Sequence, residues 1–162
     1  MSQSITIFSN IKPVFTGLLS HHYLSLPSID LEIHPGKYYY GTHHNLGTFA
    51  KNSIKTGQYD LCPNCFKKFL NESNFLQNTL KYFPMINCET LTKGLLNKIA
   101  ISYQSLIVSI FIIASILSLK SIYMFIIVIL SILILIVLNN FHLSYKVEYC
   151  SHLKKSKNGS NR

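Results

Sequence analysis

Residues 99–138 form a forty-residue block with a single charged residue, Lys120. No other feature narrows the possible structures so far. A helix rises about 1.5 Å per residue, and about 20 apolar residues cross a hydrocarbon core. Forty are too many for one span and suit two. The first run, IAISYQSLIVSIFIIASILSL, ends at Leu119, and the second, SIYMFIIVILSILILIVL, ends at Leu138 before Asn139 and Asn140. Lys120, with Ser118 and Ser121, marks the tip between them. The block therefore predicts a two-helix transmembrane hairpin over 98–139. A small α+β head over 1–97 precedes it, and a strand-like segment with a short basic tail follows over 140–162.

The lysines predict an orientation. Lys and Arg close to a span favour the cytoplasmic side. Lys81, Lys93 and Lys98 precede the block and Lys146, Lys154, Lys155 and Lys157 follow it, against Lys120 alone at the tip. The expectation is a multi-pass membrane protein with both termini cytosolic, the particular membrane being left open. The formal net charge of +9 is concentrated on the flanks, which suits anionic lipid headgroups beside the bilayer. Arginine is almost absent and no recognition motif accompanies the charge, so nucleic acid is not an expected partner. Within the spans, Ser102, Ser105, Ser109, Ala114, Ser115, Ser118 and Ser131 are small enough to let helices approach closely, within one chain or in a homo-oligomer.

The chemistry of the head centres on Cys62-Pro63-Asn64-Cys65. Two cysteines at C-x2-C spacing can aim both sulfurs at one ion from a tight turn, which is half of a tetrahedral zinc site. Pro63 suits a first helical turn. Phe66, Phe69, Leu70, Ser73, Leu76, Leu80 and Phe83 then recur at helical intervals up to Pro84. Upstream, residues 37–40 and 48–54 read as short strands separated by Gly41 and Gly47. The head is thus expected to be a zinc-knuckle-like domain, with zinc as a structural cofactor. His34 with His43 or His44 would complete the site, because they bracket the strand expected beside the knuckle. Cys88 competes with them.

In the tail, Phe141, Leu143, Tyr145, Val147 and Tyr149 alternate with polar residues, the pattern of a half-buried strand. Such a strand would pair with the head and bury those five side chains; the alternative reading of the same residues is an interfacial aromatic belt with tyrosines at headgroup depth. Cys150 and His152 would emerge at its end, within reach of the knuckle as alternative ligands.

With six acidic residues in all, no Ser-His-Asp grouping and no phosphate loop, the chain is not expected to be an enzyme. The reading is a small membrane anchor or adaptor of viral accessory type, acting on an unknown protein partner. The architecture also resembles the viral membrane-bound ubiquitin ligases, which join an N-terminal zinc finger to two spans; that resemblance implies a ligase-like alternative. Its finger needs eight ligands for two ions, and three cysteines precede the hairpin here. An oligomeric, pore-forming protein of viroporin type is the other alternative.

Overall fold

The computed structural model describes residues 4–14, 19–34, 41–48, 50–79, 87–96, 98–118, 122–140 and 145–153. Six strands make one sheet: β1 (Ile5–Val14), β2 (Leu19–Leu26), β3 (Leu31–His34), β4 (Thr42–Asn45), β5 (Ile54–Leu61) and β6 (Lys146–Tyr149). Four helices accompany them: α1 (Pro63–Thr79), α2 (Cys88–Leu95), α3 (Tyr103–Ser118) and α4 (Ile122–Asn140). The strand order is β4-β3-β2-β1-β5-β6. Every pairing is antiparallel except the last, in which β6 lies parallel to β5.

Strand alternation sorts the side chains between two faces. Ile7, Leu24, Leu26, Ile33 and Tyr59 point to an inner face, where Phe66 and Phe69 of α1 and Leu91 and Leu95 of α2 complete the core. Burying an aliphatic side chain of this size contributes roughly 1.5–3 kcal/mol. The expected stripe of α1 is visible here, since Phe66, Phe69 and Ser73 are buried; Leu80, Phe83 and Pro84 fall outside the described residues. Pro13, which cannot donate to a ladder, lies past the end of the β1–β5 pairing at Ile11, where β1 keeps only β2 as a neighbour.

A buried polar cluster fixes the start of α3 against α2. Asn87 caps α2 by accepting from the Glu89 and Thr90 amides, and Thr90 returns the bond by accepting from the Asn87 amide. The Glu89 carboxylate accepts from Lys93 Nζ at 2.7 Å, Ser102 Oγ at 2.9 Å and the Gln104 amide at 3.3 Å. The last of these donors lies in the first turn of α3, where backbone N–H groups lack helical partners. Burial alone would raise the Glu89 carboxyl. The hydrogen bonds from Lys93 and Ser102, with the positive charge of Lys93 and His22, outweigh burial and hold it below the usual carboxylate range.

The transmembrane expectation is corrected here. Among the described residues no helix is long and apolar enough to cross a membrane. Helix α3 has 16 residues, about 24 Å at a helical rise of 1.5 Å. Helix α4 has 19 but ends in two asparagines, which leaves an apolar length of about 26 Å. Both fall short of a hydrocarbon core of about 30 Å. The apolar block instead folds as a pair of packed helices in an α+β protein, with Ala114, Ser131 and Leu135 buried. The hydroxyls of Ser109, Ser115 and Ser131 bond to carbonyls four residues back in their own helices. With the spans goes the placement as a multi-pass membrane protein with cytosolic termini. The tip at Lys120 lies outside the described residues.

Two smaller differences concern strands. Of residues 48–54, expected as a strand, the described ones before Ile54 lie in no strand, and Ile54 opens β5. Asn52 has φ +63° and Gly47, just upstream, φ +89°, both outside the β region of backbone conformations. In the tail, β6 joins the sheet as expected of a pairing strand, yet Tyr145 and Val147 remain about half exposed. They face away from α1 and α2, so the side predicted to be buried is the outer one. The strand expected at 37–40, and Phe141 to Leu143, lie outside the described residues.

Candidate metal centre

The parallel pairing of β5 and β6 sets Tyr149 opposite Asp60, so the two chain segments leave the sheet side by side. After β5 the chain passes directly into α1. Cys62 precedes Pro63, its carbonyl accepts the first helical bond from the Phe66 amide at 2.9 Å, and Cys65 sits in the first turn. After β6 the Cys150 amide donates to Asp60 O at 3.0 Å, extending the ladder by one residue. A single helical turn over 151–153 follows, held by the buried Leu153. It carries His152 across to the start of α1.

Four ligands converge as a result. The sulfurs of Cys62, Cys65 and Cys150 and a ring nitrogen of His152 all lie within 4.8 Å of one another, and together they can hold a metal ion. His152 Nδ1 is 3.2 Å from Cys65 Sγ and 3.7 Å from Cys62 Sγ. A tetrahedral ion bound at about 2.0–2.3 Å has edges of roughly 3.3–3.8 Å, so these separations match one. The Cys62 amide donates to Cys150 Sγ at 3.4 Å. No disulfide ties any of the four cysteines.

The electrostatics of the cluster suit a cation. Burial, followed by hydrogen bonds and charge from Cys62 and Cys150, pushes the Cys65 thiol up to about 11. Burial would also raise Cys150, but N–H groups of Cys62 and Leu153 directed at its sulfur outweigh that and draw it below the ordinary thiol value. Three sulfurs this close cannot all carry charge in mutual repulsion. A dication among them reverses the penalty, because a coordinating thiol is deprotonated outright. Were all four to bind one ion, they would make a closed tetrahedral set of the structural kind, with no position left open.

The sequence-derived candidates divide between this centre and three other places. Cys62 and Cys65 are in it. His43 lies on the inner face, where its Nε2 meets Ser73 Oγ of α1 at 2.7 Å. His34 and His44 stack on the outer face with ring centroids 4.3 Å apart. Cys88, at the start of α2, donates to Ser20 O at 3.8 Å. The remaining two members of the cluster, Cys150 and His152, come from beyond the helical pair. Their signal in the sequence was the C-x-H pair at the end of an alternating tail. What was not visible there is that the tail runs parallel to β5 and so ends beside the knuckle.

A mixed six-stranded sheet, two helices on its inner face and a Cys3His cluster at its edge define a small α+β protein with a corner that could bind a metal ion. The family model described as Baculoviridae AC81 matches residues 3–153. The chain belongs to that family of viral proteins. No curated protein and no solved structure matches it.

Proposed function

We propose that this viral protein is a non-catalytic adaptor whose fold is closed by a structural zinc ion at Cys62, Cys65, Cys150 and His152. The observation that carries the reading is the convergence of four ligand atoms from segments 87 residues apart. Three thiolates and one imidazole form a soft, tetrahedral donor set of the kind that holds zinc in structural sites. Here the ion would tie the chain before the helical pair to the chain after it, and its binding free energy would be folding free energy.

The adaptor role is supported by the surface of α3 and α4. Ile113, Ile116, Leu130 and Leu133 are each exposed by half or more, and other aliphatic residues surround them. Contiguous apolar surface beyond a few hundred Å² marks interaction sites. We take the partner to be a protein, either another chain or a further copy of this one.

The deciding measurement is the metal content of the purified full chain. One equivalent of zinc is expected, lost in Cys62→Ser and equally in Cys150→Ser, and retained in His43→Ala. Absence of stoichiometric zinc, or zinc that survives both cysteine substitutions, overturns the reading.

A further inference from the structure

Helices α3 and α4 repeat one pattern around a small buried residue. Leu106, Ile110, Ile113 and Leu117 stand eight, four and one residues before Ala114 and three after it, and all four are exposed while Ala114 is buried. On α4, Tyr123, Ile127, Leu130 and Ile134 hold the same four places about the buried Ser131, and they too are exposed. Steps of four, three and four residues keep side chains in line along a helix, at the spacing by which one helix packs into another. Each helix therefore has two seams. One, through Ala114, Ser131 and Leu135, is closed between α3 and α4. The other is open.

Three residues join the two helices, so they run side by side in opposite directions. Stripes displaced from the shared seam by the same angle, in the same rotational sense, then lie on one face of the pair and form one apolar surface. The reverse of the pair is not continuous in this way. There the line through Ile112 and Ile116 passes Ser105 and Ser109; Ser105 accepts from the Asn87 amide side chain and Ser109 donates to Ser105 O. Charge narrows what can cover the open stripes. The chain has a formal net charge of +9, yet Lys120, between the helices, is the only charged residue from 99 to 138. A partner selected by charge finds nothing on this surface to pair with. Two copies of a basic chain, in contrast, can approach closely only where neither is charged, and that condition holds along the whole surface. Eight side chains, on average about half exposed, offer on the order of 700 Å² per copy, close to the roughly 800 Å² per partner of a stable interface.

We propose that this surface is closed by a second copy of the chain, the two helix pairs meeting about a two-fold axis as a four-helix bundle. The proposal rests on the adaptor reading of α3 and α4 and names the occupant. In a two-fold interface one patch serves both partners, so it has to be complementary to itself. Charge-free stripes with the same spacing on both helices meet that requirement, since the side chains of one copy enter the gaps between those of the other. Ile113 and Leu130, each one residue before the seam, stand near the middle of their stripes and form the centre of the interface.

The test is the mass of the full chain by sedimentation equilibrium, over a range of concentrations and without detergent. Twice the 18.5 kDa of one chain is expected. Ile113→Asp/Leu130→Asp would bury unpaired charge and should weaken association about a hundredfold or more, whereas Ile112→Asp, on the reverse of the pair, should leave the dimer intact. A dimer undisturbed by the double variant, or disrupted equally by Ile112→Asp, overturns the proposal, as does a mass above two chains. Should the double variant fail to fold, carbene labelling of the wild type decides: labelling at Ile113 and Leu130 should fall as the dimer forms, and at Ile112 it should not. A wild-type monomer labelled freely at Ile113 and Leu130 overturns the pairing but leaves the surface to a different protein, with the adaptor reading intact. A monomer shielded there only when phosphatidylcholine vesicles are added would give the surface to lipid and overturn both.

Discussion

Cys65 Sγ and His152 Nδ1 stand 3.2 Å apart although 87 residues separate them. The whole apolar helical pair lies within that interval. The contact makes the corner of the sheet a closure point for the chain, and the mechanical consequence can be measured. Chelation of the full chain should loosen β6 and the turn at 151–153 before it affects β1 and β2, read as exchange protection lost first from residues 145–153. Simultaneous loss across all strands would mean that the corner supports the whole sheet.

His152 is the most exposed member of the cluster. His152→Ala should leave three thiolates and weaken metal binding by more than the roughly 10–100-fold that follows loss of a ligand's outer hydrogen-bond partner. Competition against a chelator of known affinity measures this. An unchanged affinity would remove His152 from the ligand set.

Burial separates two isoleucines of equal size. Ile33 is 0% exposed in the core and Ile134 is 48% exposed on α4. Ile33→Ala should cost about 2–5 kcal/mol, a transfer loss plus a cavity. Ile134→Ala should cost within about 0.5 kcal/mol in the isolated chain. Urea denaturation of both variants checks the contrast, and a large loss at Ile134 would indicate that α4 is covered in the protein as purified.

Glu89 should shape the acid limb of stability. Its folded carboxyl is held below the unfolded value, so its contribution is present above the unfolded carboxylate pKa and is lost as pH falls through the folded one. Glu89→Gln should flatten that limb while costing roughly 1.5–3 kcal/mol at neutral pH, the usual worth of hydrogen bonds to a charged group. Urea midpoints across the acid range would show it. A variant whose pH profile overlays the wild type would place the acid sensitivity elsewhere.

Truncation after Asn140 removes β6, Cys150 and His152 together. The edge of β5 would be left unpaired and two of the four ligands lost, so the head should become protease-sensitive and lose its metal. A truncated chain as resistant as the full one would show that the sheet is complete with five strands.

Much of this protein was legible in local pattern. The C-x2-C turn entering an amphipathic helix, the apolar stripe from Phe66 to Ser73, the two apolar helices and a pairing strand in the tail all follow from spacing, because helix and strand periodicities act over a few residues. Composition alone could not say what the apolar block does. The two helices described within it have 16 and 19 residues, each far shorter than the forty-residue run. Nor could spacing choose the partners of Cys62 and Cys65. His34, His43 and His44 were near in sequence, yet strand alternation puts His43 on one face and His34 with His44 on the other, away from the sheet edge where β5 ends. That β6 returns parallel to β5 is a long-range decision, made by the packing of the whole sheet, and it alone brings Cys150 and His152 to the knuckle.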